Sequence, residues 1–218
     1  MLEGPHLVEA FLQAGSKPKV VLVTEKALEK REIADLAGKS PVVVSEGVFR
    51  SIVEAENLPG IAAEIEIPVR PLSDGTDTVF LEGVQDPSNV GAIVRNAAAF
   101  GVGQVILDQA CADPWSPRAL RAGMGGHFAL AIREVPKLDL DGFKGSLLCT
   151  VVRGGIRLQD ADLKGRLGWI FGGEGRGVSA AVEERVDVKI TIPISPGMES
   201  LNVAGASAIC LYEANRRK

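Results

Sequence analysis

Residues 78–107 read TVFLEGVQDPSNVGAIVRNAAAFGVGQVIL, and this stretch alone predicts a strand, a helix and a second strand. The apolar runs Thr78–Leu81 and Gln104–Leu107 have the length of buried strands, and the residues between them have helical signals. Two consecutive strands that are joined through a helix pair in parallel. The stretch therefore predicts an α/β domain with a parallel sheet.

The helix in this stretch has well-marked ends. Asp86 suits the N-cap and Pro87 the first turn, while Gly101 ends the helix after Phe100. The apolar face is formed by residues at helical spacing, namely Val90, Ile93, Val94 and Ala97. Arg95 points away from that face, so it is either a solvated surface charge or is aimed into a cleft.

Apolar runs and helical stretches keep alternating after this unit. The further runs are Gly145–Val152, Leu167–Phe171 and Val186–Ile192. Runs that are apolar throughout are typical of strands covered on both faces of a sheet. We therefore expect residues 78–218 to form one α/β domain with a mostly parallel sheet.

The first 67 residues show the same alternation on a smaller scale. Helices and strands are predicted in turn at Pro5–Ala14, Lys19–Val23, Glu25–Ala37 and Val42–Val44, with another helix from Glu46. This pattern predicts a small α/β domain at residues 1–67. Residues 68–77 contain two prolines and a glycine, which predicts a linker.

Composition narrows the class of protein. The chain has 218 residues, of which 46% are hydrophobic and 24% charged, as is ordinary for a globular protein. It contains no apolar run of about 18 residues, so we expect no membrane span. The first residues lack the basic and apolar regions of a signal peptide, so we predict a cytoplasmic protein.

Cysteine and histidine are too sparse for several kinds of site. Cys111, Cys149 and Cys210 lie far apart and form no CxxC pair, so neither a disulfide framework nor a zinc site is predicted. His6 and His127 complete the set of candidate ligands. We therefore expect no metal and no histidine-based catalytic centre, and we interpret the cysteines as buried apolar residues.

The net charge of −4 is unlike that of a typical nucleic-acid-binding protein. Residues 1–75 hold 8 basic and 12 acidic side chains, whereas residues 76–218 hold 16 of each. The neutral part can still present a local basic strip, for which the candidates are Arg118, Arg121, Arg153, Arg157 and Arg176. Scattered solvated charges explain any one of them equally well.

A last helix is predicted from Ser200 to about Arg217. Its predicted buried stripe consists of Leu201, Ala204, Ala208, Leu211 and Tyr212. Ser200 and Asn202 stand at its start, where helix capping is the plainer explanation of both polar side chains.

Residues 171–177, FGGEGRG, directly follow an apolar run. The four glycines allow sharp turns and a close approach to a ligand, although an ordinary strand-to-helix loop is also possible. The segment lacks both the Lys-Ser/Thr pair of a Walker A loop and the GxGxxG spacing. No convincing acidic residue follows where the ribose of a nicotinamide cofactor needs one, which disfavours an oxidoreductase.

Three segments together resemble the motifs of the SpoU/TrmH ribose 2′-O-methyltransferases of the SPOUT superfamily. They are NxGxxxRxA at 89–97, the glycine-rich loop with Glu174, and IPxxxGxxSLNVxxA at 192–206, in the family's order. The resemblance covers about residues 77–218. Residues 1–67 resemble the small L30e-like RNA-binding domain that often precedes this catalytic domain.

The resemblance implies an α/β domain whose C-terminal segment forms a deep trefoil knot, an exception to the rule that chains avoid knots. It also implies a homodimer and S-adenosylmethionine as cofactor. The implied catalytic set is Asn89, Arg95, Glu174, Ser200 and Asn202. The implied cofactor contacts are Gly172, Ile192 and Leu201, together with Gly173 and Gly197.

Methyl transfer to a ribose hydroxyl is an in-line displacement, so the acceptor oxygen must be aligned and its developing negative charge stabilised. Arg95 is the family's usual candidate for activating that hydroxyl. Because a guanidinium stays protonated in proteins, we favour a fixed cation that stabilises the forming alkoxide over a general base. In this hypothesis Asn89 and Glu174 hold Arg95 or the loops around it, and the proton leaves to water or an RNA phosphate.

The chain departs from the family in two places. Gly173 precedes Glu174, where relatives often have Asn or another small residue. The basic leader common upstream of the first domain is also missing, and this domain is acidic. Either a mis-assigned start codon or a substrate held mainly by the dimeric catalytic domain explains the second departure.

The resemblance therefore predicts S-adenosylmethionine-dependent methylation of a ribose 2′-hydroxyl in structured RNA. Ribosomal RNA is favoured over transfer RNA because of the N-terminal domain. The alternatives are a non-catalytic RNA-binding or ribosome-assembly protein on the same fold and, less favoured, a nucleotide-dependent oxidoreductase.

Overall fold

The computed structural model describes residues 1–55 and 57–218, which build two successive sheets. The strands of the first sheet are β1 Leu2–Glu3, β2 Val20–Thr24, β3 Val42–Val44 and β4 Ile61–Glu64. They lie in the order β1-β4-β2-β3, with β4 antiparallel to both neighbours and β2 parallel to β3. The helices of this part are α1 Pro5–Gln13, α2 Glu25–Leu28, α3 Arg31–Ala37 and α4 Glu46–Ile52.

The single helix predicted at Glu25–Ala37 is wrong, because the structure has two short helices there. Ala27 and Ile33 are both buried, yet six residues of continuous α-helix would rotate them about 240° apart. Lys30 is extended between the two helices. This break lets both apolar side chains face the same core.

The second sheet has the parallel arrangement that the sequence predicts. Its strands are β5 Thr78–Glu82, β6 Gln104–Asp108, β7 Ala131–Val135, β8 Ser146–Thr150, β9 Ile156–Arg157, β10 Leu167–Gly172 and β11 Val188–Thr191. They lie in the order β7-β6-β5-β10-β8-β11-β9, and every pairing is parallel. The predicted α/β class is confirmed, and the trefoil knot stays a prediction.

Four helices accompany this sheet: α5 Pro87–Ala99, α6 Pro117–Gly123, α7 Ala180–Glu183 and α8 Val203–Arg216. The predicted N-cap of α5 is confirmed, since the Asp86 carboxylate accepts a hydrogen bond from the backbone N–H of Ser88. All four residues of its predicted apolar face are fully buried. Within the described ranges, each helix is either too short or too polar to cross a membrane.

The predicted start and buried stripe of the last helix are partly wrong. Helix α8 begins at Val203 instead of Ser200, because the side chain of Asn202 caps it by accepting from the N–H groups of Ala204 and Gly205. Leu201 therefore lies in the preceding loop and is 40% exposed. Tyr212 is also largely exposed, with its ring edge-on to Phe100.

The two sheets are joined by a shared apolar contact. Phe128 and Leu120, from the second part of the chain, belong to the same buried cluster as Leu2 and Phe11. The rings of Phe11 and Phe128 meet edge to face at 5.2 Å between centroids. The division into residues 1–67, 68–77 and 78–218 stays a prediction, and the segment after Glu64 contributes the contact of Arg70 with the Phe128 carbonyl.

An ion pair reinforces the same contact. Arg121 on α6 donates to the Glu3 carboxylate at 2.9 Å, and the Glu3 side chain is almost fully buried. Glu3 also accepts from the backbone N–H of Glu54 at 2.8 Å. A buried carboxylate with two donors holds the first strand against α6.

We expect Phe128→Ala to lower the free energy of unfolding by about 3–5 kcal/mol, because it removes a buried ring from the contact between the two sheets. Denaturant unfolding followed by tryptophan fluorescence measures this change. Val69→Ala is the control, since Val69 is 86% exposed and should change stability by less than about 0.5 kcal/mol. Equal stabilities of the two variants would contradict a stabilising role for the contact between the two sheets.

His127 predicts a dependence of stability on pH. Its ring is buried with Nε2 at 2.8 Å from the Pro114 carbonyl oxygen, and burial lowers the pKa of His127 from 6.5 to about 4. The unfolded chain binds this proton more tightly, so the stabilisation is complete above about pH 6.5 and is lost as the pH falls towards 4.

Unfolding free energies measured between pH 4 and 7 should therefore rise with pH by up to about 1.4 kcal/mol per unit from this group alone. His127→Gln should flatten that rise, whereas His6→Gln should keep it, because His6 is exposed. A wild-type slope in the His127 variant would be inconsistent with this origin.

Candidate active site

The topology of the parallel sheet brings three loops to one edge. Strand β10 pairs with β5 and β8, and β8 pairs with β11. The loops that follow β5, β10 and β11 therefore leave the sheet at its carboxyl edge, which is where ligands bind in open α/β sheets. The second motif lies in the loop after β10, the third runs from the loop after β11 into α8, and the first begins in the first turn of α5, directly after the loop that follows β5.

The glycine-rich loop is folded tightly onto the end of β5. The N–H of Gly173 donates to the Glu82 carbonyl at 2.8 Å, and the N–H of Gly177 donates to the Gly173 carbonyl at 2.9 Å. A Cβ atom on Gly172 would lie 2.0 Å from the Gly177 carbonyl carbon, and one on Gly173 would lie 2.2 Å from the Gly83 oxygen. Glycine is thus required at both positions for the backbone to pack.

A chain of hydrogen bonds joins the three motifs. The Asn89 amide donates to one oxygen of Glu174 at 2.5 Å and accepts from the Asn202 amide at 3.0 Å. The second Glu174 oxygen accepts from the backbone N–H of Gln85 at 3.4 Å. The structure therefore brings together Asn89, Glu174 and Asn202, which the sequence placed in one polar set.

Asn202 has two tasks in this arrangement. Its oxygen caps α8, while its amide nitrogen reaches Asn89. The capping explanation offered for Asn202 is thus confirmed, and the same side chain also links two motifs. Ser200 lies outside the helix in the preceding loop, where it is exposed.

A cavity of about 610 Å³ opens beside this hydrogen-bonded chain, a volume typical of small-molecule sites. Seven of the predicted site residues line it: Gly172, Gly173, Glu174, Ile192, Ser200, Leu201 and Asn202. Apolar side chains such as Val178 and Ile194 form part of its wall. Gly197 instead lines an adjacent groove.

Arg95 is placed apart from this set. It lies on α5 six residues after Asn89, which rotates it about 240° around the helix axis onto another face. Its side chain is exposed, and it makes no hydrogen bond or ion pair with residues 1–55 or 57–218. Its catalytic role stays a prediction, because the structure does not bring it to the cavity of its own chain.

Two supporting contacts were missed from the sequence. The Glu82 carboxylate accepts from both the N–H and the hydroxyl of Ser179 at 2.7 Å, which fixes the far end of the glycine-rich loop. Asn96 donates to the Ala204 carbonyl at 2.9 Å and to the buried Ser207 hydroxyl at 3.0 Å, which ties α5 to α8. The one available signal was the polarity of Asn96 and Ser207, each of which lies next to apolar residues in its helix.

The thiols do not provide a nucleophile. Burial raises the pKa of Cys111 and of Cys210 to about 12, and that of Cys149 to about 11. All three therefore stay protonated near neutral pH. In the described ranges, no cluster of three or more His, Cys, Asp or Glu side chains has the geometry of a metal site.

Glu183, which also lines the cavity, is already neutralised by Lys189 at 2.7 Å. Glu174 and Glu199 remain as carboxylates facing the cavity without a basic side chain paired to them in the part of the chain that the structure describes. A cavity with apolar walls and such carboxylates suits an organic ligand that carries positive charge.

RNA methyltransferases are among the proteins to which this chain is similar. The model of the SpoU rRNA Methylase family matches residues 77–212, and the model described as RNA 2′-O ribose methyltransferase substrate binding matches residues 1–70. The Bacillus subtilis 23S rRNA (guanosine(2553)-2′-O)-methyltransferase RlmP is 33% identical over 97% of this chain and 86% of its own length.

Two solved structures agree over the whole chain. A protein assigned to the TrmH family from Porphyromonas gingivalis is 28% identical, with a TM-score of 0.81 over 100% of this chain and 89% of its own. The S-adenosylmethionine-bound rRNA methyltransferase of Sinorhizobium meliloti is 26% identical, with a TM-score of 0.80 over 99% and 86%.

The match to the methylase model extends over more than half of the chain, and the hydrogen-bonded residues Asn89, Glu174 and Asn202 lie within it. The chain belongs to the SpoU rRNA methylase family.

Proposed function

We propose that this protein transfers a methyl group from S-adenosylmethionine to a ribose 2′-hydroxyl of ribosomal RNA. The observation that carries the proposal is the hydrogen-bonded chain Glu174–Asn89–Asn202 at the cavity. It joins the three family motifs in space, as an active site requires. Packing of an apolar core does not explain three polar side chains that lie together at an exposed edge of the sheet, and this favours a functional site.

The cavity fits this cofactor. Its volume of about 610 Å³ lies in the range for such ligands, and the carboxylates of Glu174 and Glu199 in its lining would suit a cationic group. Bound S-adenosylmethionine supplies an electrophilic methyl group on a positively charged sulfur. We propose that Gly172, Ile192 and Leu201 hold the cofactor, with Gly173 and Gly197 shaping the loops around it.

The polar residues act by positioning. Asn89 and Glu174 fix the glycine-rich loop against the start of α5, and Asn202 fixes the loop before α8. Rigid loops keep the ribose oxygen in line with the reactive methyl group, and alignment of this kind lowers barriers by up to about 7–11 kcal/mol in favourable cases. Ser200 lines the same cavity and is proposed to contact the ribose side.

Arg95 can take part in the proposed reaction only if it reaches the cavity of a second copy of the chain. Arg95 does not line the cavity of its own chain, but helix α8, which packs against α5, exposes Ile209 at 41% and Tyr212 at 54%. Exposed apolar side chains of this size favour an interface. We therefore propose a homodimer in which Arg95 enters the partner's cavity and stabilises the forming alkoxide.

The relatives favour ribosomal RNA as the substrate. The B. subtilis relative is named as a 23S rRNA methyltransferase, and its match includes the N-terminal part of this chain. The substrate-binding model also covers that part, in support of the division into residues 1–67, 68–77 and 78–218. With this substrate, the cytoplasm is the expected location.

A non-catalytic assembly protein on the same fold is the alternative function. Incubation with methyl-labelled S-adenosylmethionine and unmodified 23S rRNA, followed by mapping of 2′-O-methyl groups, separates the two. Transfer of label to a ribose supports the enzyme. Stabilisation by RNA in a thermal melt, with neither stabilisation by S-adenosylmethionine nor label transfer, would favour the assembly protein.

Asn89→Ala and Glu174→Ala should each lower kcat by about 10²-fold, because each breaks the chain of hydrogen bonds that positions the loops. The double variant should be little worse than either single variant, since both remove one shared unit. Steady-state methylation assays measure this cycle. Glu184→Ala serves as the control, because Glu184 is exposed and lies outside the cavity. Additive losses would contradict a shared unit.

Mixed dimers test the position of Arg95. The Glu174→Ala homodimer should be about 10²-fold less active than the wild type, and the Arg95→Ala homodimer about 10²–10³-fold less active. A heterodimer of one differently tagged copy of each should regain up to about half of the wild-type activity, because one intact cavity then receives one intact Arg95.

A heterodimer as inactive as both parents would exclude action across the interface, and a monomer in light scattering would exclude the dimer itself. Wild-type activity of Arg95→Ala would remove Arg95 from the mechanism. If Arg95→Ala loses activity, Arg95→Lys separates the contribution of the positive charge from that of the side-chain shape. Strong retained activity favours the charge, and near-complete loss favours the planar guanidinium.

A further inference from the structure

The structure divides the five arginines that could form a basic strip into two groups. Arg118 donates to the Ser88 hydroxyl at 2.7 Å and lies 3.5 Å from the Asp86 carboxylate. Arg121 pairs with the buried Glu3 carboxylate at 2.9 Å. Both guanidinium groups therefore already have an acidic partner within the fold, which weakens their attraction for an anionic ligand.

The other three surround the cavity. Arg153 and Arg157 line a groove of about 420 Å³, and Arg176 on the glycine-rich loop lines the cavity itself. All three are exposed, and within residues 1–55 and 57–218 none makes a hydrogen bond or ion pair. Three arginines that have no ion-pair partner in the described residues therefore line the cavity and the groove beside it.

The groove is continuous with the cavity. Val152, Ile192 and Ile194 line both, so a ligand in one can extend into the other. The groove ends at β9, the edge strand that contains Arg157. A linear ligand that enters the cavity therefore passes along Arg153 and Arg157 to reach the edge of the sheet.

The acidity of the rest of the chain makes these three arginines important for the binding of a polyanion. The chain has a net charge of −4, and residues 1–75 are acidic. General attraction of a polyanion is therefore weak, and affinity for one must come from a local concentration of cations. Arginine is suited to this task, because its planar fork donates two hydrogen bonds to one phosphate.

We propose that Arg153, Arg157 and Arg176 form a phosphate-binding strip that holds the RNA backbone next to the methylated nucleotide. This inference rests on the proposed function and deepens it by assigning the main electrostatic contacts with RNA to the catalytic part of the chain. The acidic N-terminal part then recognises the shape of the RNA and contributes little to its salt-dependent affinity.

Salt dependence gives the strip a quantitative signature. Each phosphate contact steepens the dependence of log Kd on log salt by about 0.7 for single-stranded nucleic acid. Arg153→Gln/Arg157→Gln should therefore reduce the slope by about 1.4 and raise the Kd for RNA about tenfold or more at physiological salt. Arg176→Gln alone should reduce the slope by about 0.7.

The experiment measures binding of 23S rRNA transcribed in vitro at several salt concentrations, together with KM, kcat and the Kd of S-adenosylmethionine. The matched control is Arg133→Gln/Lys137→Gln, which removes two exposed cations at or beside β7, the opposite edge strand of the same sheet, and neither cation has a partner among the described residues. Arg153→Lys/Arg157→Lys keeps the charge and should keep the salt slope. Thermal melts check that all variants are folded.

A shallower slope and a raised KM for RNA in the Gln variant, with kcat, cofactor affinity and the control unchanged, support the strip. An unchanged slope overturns it, and so does an equal loss in the β7 control. Weaker binding of S-adenosylmethionine also overturns it, because the arginines would then belong to the cofactor site. If the wild type binds RNA without methylating it, the proposed function fails, while the salt slopes still test the strip.

Discussion

One carboxamide, that of Asn89, connects the start of α5 to the two loops on which the site depends. An amide can donate and accept at once, and Asn89 does both, towards Glu174 and from Asn202. Asn89 lies 85 residues before Glu174 and 113 residues before Asn202, so few local contacts set its position relative to either. Loss of either hydrogen bond removes the side-chain link between the start of α5 and one of the two loops, which is why the parallel sheet alone does not define the cavity.

The fold was predictable where one apolar pattern dominated. The four apolar positions of α5 follow helical spacing and are all buried, and the central strands are apolar throughout. Strand β7 has the sequence AIREV, and β9 has two residues, so neither edge strand shows an apolar run. The start of α8 was wrongly predicted at Ser200, because Asn202, the third residue of the expected helix, is the N-cap of the observed one.

The sequence predicts the place of a site residue best where the loop that contains the residue determines its position. Glu174 and Asn202 lie in motifs whose geometry is local, and the structure brings both to Asn89. Arg95 is fixed by the rotation of a helix, which puts it on a face that the motif does not reveal. The contact between Glu82 and Ser179 joins residues 97 positions apart, and no local pattern in the sequence indicates such a pair.

The order of elements along the chain has a consequence for biosynthesis. The segment Ile192–Val203, which lines much of the cavity, follows every strand that the structure describes. Both sheets are therefore translated before the polypeptide that completes the pocket exists. A nascent chain that ends before residue 192 therefore lacks the complete cavity.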